Sequence, residues 1–162
     1  MSSWRLPAQS ARNTPSQIRL RAMAREDLPF VMQVERQAYE FPWTEGIFRD
    51  CLRVGYCCRV LEDEGRLVGH GVMAVAVGEC HLLNICVHPH YQRRGLGRRM
   101  LSHLLDVARH GQAKIALLEV RRSNKAAYAL YYGLGFNEIG LRKNYYPTRH
   151  GREDALVLAC DL

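Results

Sequence analysis

The chain has 162 residues, 48% of them apolar and 24% charged, a balance that suits a folded unit with a sizeable core and excludes a fibrous or wholly disordered polymer. Its longest apolar runs are too short to cross a bilayer and its start lacks the apolar stretch of a secretory leader, so a cytoplasmic protein without a membrane partner is expected. The formal charge of +7 suits an anionic ligand, and with no RNA-binding motif beside it direct nucleic-acid binding is not expected.

Residues 1–16 are rich in Ser, Pro, Arg, Asn and Gln without periodicity and are expected to be a disordered tail, leaving 17–162 as a single domain. The alternation Ile18-Arg19-Leu20-Arg21 predicts a first strand. Glu26 and Asp27 then precede Leu28, Phe30, Val31, Val34 and Ala38, the pattern of an amphipathic helix with acid at its start. Phe41-Pro42-Trp43-Thr44 reads as an aromatic turn, with Thr44 as N-cap of a second short helix ending near Arg53. Apolar residues crowded into such a turn either line a ligand surface or cover the core. Strands over 56–61 and 67–77 flank the polar turn Glu62-Asp63-Glu64-Gly65-Arg66, and Gly78-Glu79 leads into a third.

That third strand enters the most informative stretch. Leu82 to Val87 is an apolar run, expected to be buried on both faces and stopped by His88-Pro89, since proline cannot donate to a ladder. The basic glycine loop Gln92-Arg93-Arg94-Gly95-Leu96-Gly97 follows, and residues 98–108 carry helical periodicity. Strand, glycine loop and helix in that order cradle an anion: amides at the helix N-terminus point outward unpaired, and glycine lets a phosphate come close. A Walker loop would need Lys after Gly97, where Arg98 stands, and a Rossmann fingerprint would need a third glycine where Met100 stands. An ordinary basic strand-to-helix turn is the competing reading of the loop alone.

The helix should end near His110-Gly111, with Gly111 as its C-cap. A buried strand over 113–120 should run parallel to 82–87, because a helix crosses between them. Ser123-Asn124 caps a helix over 125–132 that stops at Gly133-Leu134-Gly135-Phe136. Strands over 137–145 and 154–160 then close the chain around a loop at 147–152. Six cysteines (Cys51, Cys57, Cys58, Cys80, Cys86 and Cys160) are expected to stay reduced. Cys86, His88 and His90 alternate, but Pro89 separates the histidines and no second ligand pair is evident, so no metal is expected.

Gln-x-x-Gly-x-Gly after a strand resembles the acyl-CoA pyrophosphate loop of the GNAT N-acetyltransferases. The runs Leu118-Glu119-Val120-Arg121-x-Ser123-Asn124 and Ala129-Leu130-Tyr131-Tyr132-Gly133-Leu134-Gly135-Phe136 resemble the second half of that family's signature. Phe41-Pro42-Trp43-Thr44, Asn144-Tyr145-Tyr146-Pro147 and Gly151-Arg152-Glu153-Asp154-Ala155 are similar to its RimI branch, over roughly residues 17–160. The resemblance implies an α/β (α+β) fold: a bent, mostly antiparallel sheet with one splayed parallel strand pair and helices on both faces. It also implies transfer of acetyl from acetyl-CoA, without a metal, to a protein N-terminal α-amine. For this branch the partner is the N-terminal alanine of the eighteenth small-subunit ribosomal protein. A broader Nα- or lysine acetyltransferase and a non-catalytic CoA-binding regulatory module are the alternatives; the presence of both Glu119 and Tyr131 speaks against the second.

Carried over motif by motif, the resemblance makes Ile85, Cys86 and Val87 the strand groups that meet the pantetheine arm. Arg93, Arg94, Gly95, Leu96, Gly97 and Arg98 become the pyrophosphate loop. Asn124 would hydrogen-bond the cofactor, with simple N-capping as its other role. Glu119 matches the general base, the other reading being an ion pair with Arg121. An α-amine titrates near 8 and an ordinary carboxylate near 4.3, so such a base works through water, a raised pKa, or both. Tyr131 matches the general acid, selected by its motif from Tyr128 and Tyr132; helical spacing sets Tyr128 beside Tyr131 and turns Tyr132 away by about 100°. With no nucleophilic arrangement evident, direct attack by the amine is implied. Phe41, Trp43, Tyr145, Tyr146 and Pro147 would line a slot for the peptide, where Glu35, Glu40 or Asp154 could meet a substrate arginine.

Overall fold

The computed structural model describes residues 17–162; the tail expected over 1–16 lies outside the described residues. Alternating apolar residues in the first half pair into an antiparallel meander. In it β1 (Ile18–Ala22) lies on β2 (Cys57–Asp63), β2 on β3 (Arg66–Ala76), and β3 on β4 (Glu79–Val87). The β2–β3 connection is tighter than expected. Glu64 and Gly65 both take left-handed backbone (φ 51° and 81°), and such a two-residue turn matches the twist of the strands it joins.

The rest of the sheet is β5 (Ile115–Arg121), β6 (Asn137–Thr148) and β7 (Gly151–Asp161), giving the order β1-β2-β3-β4-β5-β7-β6. Only β4 and β5 pair in parallel; the other neighbours are antiparallel. The last two strands are longer than expected, because Pro147 does not end β6. It sits opposite Arg152 on the edge strand, where a missing amide breaks no central ladder.

Helices cover both faces. On one lie α1 (Leu28–Ala38) and α2 (Glu45–Arg53), whose Val31, Val34 and Phe48 are fully buried with Val60 and Val72. On the other, α3 (Leu96–His110) buries Met100, Leu101, Leu104 and Leu105 against β3, β4 and β5, and α4 (Lys125–Gly133) adds Leu130 and Tyr131. Close packing of α3 on β3 needs Gly71, where a Cβ would stand 2.9 Å from Leu104 Cδ1. Thr44 caps α2 through the Ile47 amide at 3.3 Å, as its position predicts. As expected, α3 ends at His110 with Gly111 as its C-cap; Gly111 has φ −81°, and the left-handed residue that follows is Gln112 at φ 65°.

Two features of β4 position the functional cleft. Its parallel ladder to β5 covers only Glu79–Leu82 against Ile115–Leu118. Its register to β3 slips between Leu82 and Asn84, a bulge that changes which face successive side chains meet. Cys80 and Leu82 join the α3 side, whereas Leu83 and Cys86 join the α1 side, so the strand is covered on both faces as expected.

The turn after β4 carries a pH-sensitive anchor. His88 is fully buried and its Nδ1 accepts from the His90 amide at 3.1 Å. Burial pushes its imidazole down to about 4. The unfolded chain takes up that proton near 6.5 while the fold resists it, so stability is complete above that pH and declines as pH falls toward 4. Urea unfolding is expected to show a loss of about 3 kcal/mol over this window from His88, absent in His88→Asn, which keeps an acceptor for the His90 amide. Equal acid sensitivity in both proteins would exclude the anchor as its source.

Candidate active site

Beyond the Leu82–Leu118 pair, β4 and β5 diverge and leave a cleft of about 270 Å³. Leu82 to Ile85 form one wall and Glu119 to Arg121 the other. Phe41 and Trp43 enter from the α1–α2 turn, Tyr131 from α4, and Tyr146 and Pro147 from β6. Tyr39, at the end of α1, donates its hydroxyl to the Ile85 carbonyl at 2.5 Å and so ties that turn to the diverging strand. A wider hollow of about 420 Å³ lies between α1 and the β2–β3 turn, away from these groups; its Arg21 is taken up by Asp27 and Glu62 at 2.8 and 2.7 Å.

After β4 the glycine loop forms an open cradle. Arg93 and Gly95 are left-handed (φ 63° and 76°), which curls the loop into the first turn of α3. No atom lies within 4 Å of where a Gly95 Cβ would be, and Arg93, Arg94, Arg98 and Arg99 are exposed around it. Helix amides, open space and four guanidinium groups fit a pyrophosphate. Leu96 is buried, so only its backbone is available there. Cys86 likewise faces the α1 core, and burial pushes its thiol well above the usual range, which removes it as a nucleophile. Asn124 Oδ1 accepts from the Ala127 amide at 3.1 Å; the structure shows the capping role, at the border of the cleft.

Glu119 does not pair with Arg121, the partner named in the alternative reading of this residue. Its carboxylate accepts from His81 Nε2 at 2.7 Å and meets Arg142 Nε at 3.4 Å. Arg121 is engaged elsewhere: it binds Glu153 at 3.0 Å and the Pro147 carbonyl at 2.7 Å, and its guanidinium lies over the rings of Phe41 and Tyr146. Those stacks close the aromatic slot from below. The tyrosines of α4 also sort differently from expectation. Tyr128 stacks on Tyr132 at 6.3 Å, while Tyr131 turns toward Phe136 and the cleft. Burial pushes the Tyr131 phenol up to about 12, so it keeps its proton through neutral pH.

The acidic residues assigned to a substrate arginine are occupied. Glu35 is 1% exposed beneath the cleft and binds His70 Nε2 at 2.8 Å, Asn84 Nδ2 at 3.0 Å and the Trp43 amide at 3.3 Å, so it is not a free arginine receptor. Glu40 meets Arg149 at 3.4 Å, and Asp154 meets Arg122 at 3.6 Å and the Asn144 amide at 3.0 Å. Tyr145 does not line the cleft; it is half-exposed, with its ring edge-on to that of Tyr146, which does. Cys86, His88 and His90 form no ligand group among the described residues; the grouping there is Glu35, His70 and Cys86, whose ligand atoms lie within 4.8 Å of one another.

The model of the acetyltransferase (GNAT) family matches residues 19–136, most of the chain and all of this cleft except β6 and β7. The chain belongs to the GNAT acetyltransferase family. Within the family it is 44% identical over 133 residues to the [ribosomal protein bS18]-alanine N-acetyltransferase of Escherichia coli strain K12, covering 82% of this chain and 90% of that one. The namesake in Haemophilus influenzae is 35% identical over 137 residues, covering 84% and 93%. The crystal structure of the ribosomal-protein-S18-alanine N-acetyltransferase from Escherichia coli superposes with a TM-score of 0.85 at 41% identity, covering 89% and 93%. The seven-stranded sheet with one parallel pair is that GNAT architecture, as the sequence resemblance implies.

Four residues at this GNAT site escaped sequence reasoning: His81, Tyr39, Arg142 and Asn84. His81 and Asn84 carried a signal, as polar residues at the start of and within an apolar strand, but the partner of each is set by packing that no local pattern contains.

Proposed function

We propose that this acetyltransferase moves the acetyl group of acetyl-CoA to the N-terminal α-amine of a protein, with the alanine of ribosomal protein bS18 as its main substrate, in the cytoplasm. The observation that carries this reading is the parting of β4 from β5, which brings Glu119 and Tyr131 to one cleft, on the strand that leads into the glycine loop at Gly95. The identity to bS18-alanine N-acetyltransferases supports the choice of substrate.

In this reading the edges at Ile85, Cys86 and Val87 take the pantetheine arm, and Arg93 through Arg98 take the pyrophosphate. When bound, acetyl-CoA supplies an activated thioester. Glu119 relieves the incoming ammonium of a proton through water, since most α-amine is protonated at neutral pH. Tyr131 acts chiefly as a hydrogen-bond donor toward a departing sulfur. A phenol near 12 is a weaker acid than a thiol near 8.5, so complete transfer of its proton is uphill, whereas stabilising charge as it builds is not. Phe41, Trp43, Tyr145 and Tyr146 frame the slot through which the peptide enters.

Mass spectrometry of peptides incubated with enzyme and acetyl-CoA tests the proposal. A peptide with the bS18 N-terminus, a copy with a blocked N-terminus and free lysines, and copies with other first residues make up the panel. Acetylation confined to the free alanine peptide is expected. Broad modification of other first residues would make it a general Nα-transferase, and modified lysine in the blocked copy would make it a lysine enzyme. Tight acetyl-CoA binding without transfer would leave a regulatory module.

A further inference from the structure

We infer that His81 is a positioning residue for Glu119, holding the carboxylate in the orientation it needs to face the cleft. His81 has this role only if Glu119 is the base proposed above. The placement follows from register. His81 stands opposite Leu117 in the parallel ladder, and Glu119, two residues further along β5, points to the same face. The ladder ends one pair later at Leu82–Leu118, so the imidazole spans the gap where the strands begin to part.

The contact is short, 2.7 Å, with the Glu119 side chain 12% exposed and the imidazole 39% exposed. Two other charged groups border this carboxylate's face. Arg142, from β6, reaches the second oxygen at 3.4 Å, but its guanidinium is 55% exposed and also lies over the Tyr145 ring. Arg121, the next residue on that face of β5, is committed to Glu153. Glu119 therefore has a short, partly exposed partner on the β4 side and a longer, more exposed one on the β6 side. Without His81 the carboxylate is free to collapse onto Arg142, away from the cleft. A carboxylate cannot donate to the imidazole, so the bond also requires the proton on Nε2. An exposed strand-end pair with a purely structural role would contribute under about 1 kcal/mol and leave turnover untouched.

His81→Leu and His81→Gln separate the roles, because the Gln amide nitrogen can donate from nearly the place of Nε2. Leu is expected to lower kcat about ten- to a hundredfold with KM for both substrates unchanged, the signature of a displaced group rather than lost binding. Gln is expected to recover kcat to within about threefold of the parent. Nitrogen-15 NMR of the ligand-free protein should show His81 protonated at Nε2. Parental kcat in His81→Leu, no recovery in His81→Gln, or a proton confined to Nδ1 would each overturn the role. If Glu119→Gln itself turns over at the parental rate, the base assignment fails instead; if Glu119→Gln is slow and His81→Leu is not, only the role of His81 fails.

Discussion

Glu119→Gln is expected to lower kcat at saturating substrates by about 10²- to 10³-fold while leaving the acetyl-CoA Kd, measured by calorimetry, within twofold. The carboxylate lines the cleft and meets His81 and Arg142, neither of them part of the glycine cradle, so in the proposed mechanism its loss removes a proton acceptor and not a cofactor-binding group. Glutamine keeps the shape and has one oxygen left to accept from either His81 or Arg142, which meet different carboxylate oxygens, so the substitution removes basicity while keeping most of the packing. Because the substrate ammonium must still deprotonate, raising the pH should recover part of the rate in the variant by supplying free amine from solution. A parental kcat at neutral pH would remove Glu119 from the mechanism; a weakened Kd would reassign it to cofactor binding.

Glu35→Ala is expected to destabilise the fold by about 3–5 kcal/mol, the larger of the stability effects anticipated for this chain. Glu35 and His70 are 1% and 0% exposed, and the carboxylate is the partner of an imidazole, a carboxamide and a backbone amide. Removing it takes this partner from two buried side chains, His70 and Asn84, and from the part-buried Trp43 amide, and leaves a void beneath the aromatic turn. At about 2–4 °C per kcal/mol for a chain of this size, thermal unfolding should occur roughly 6–20 °C lower. Glu35→Gln, which can still accept, should lose much less. Equal melting temperatures for Glu35→Ala and the parent would mean that the network contributes nothing net, as some buried pairs do.

Local signals made most of the fold legible. Alternation marked β1, an apolar run bounded by proline marked β4, and Thr44 and Asn124 announced their helices through capping chemistry. Pro147 misled because the penalty for proline depends on whether a strand is central or an edge, and position in the sheet is not a local property. The pattern at the site is the same. Glycines, arginines and aromatic residues near the cleft were readable from motifs, whereas the partners of Glu119, Arg121, Tyr128 and Glu35 are set by strands and helices far apart in the chain. Charge and spacing along a sequence identify a carboxylate; only register says which imidazole or guanidinium answers it.

The brevity of the β4–β5 ladder has a mechanical consequence. Four residues on each strand join a four-stranded half, β1 to β4, to a three-stranded half, β5 to β7. Every other strand neighbour is paired over a longer run, so this seam is the weakest line of the sheet. A molecule that bridges the open edges mends that line as it binds, and by mass action its binding energy becomes resistance to unfolding. Ligand occupancy and cohesion of the two halves are thus one equilibrium: the opening proposed to admit the substrate is also where the empty protein is most easily pulled apart.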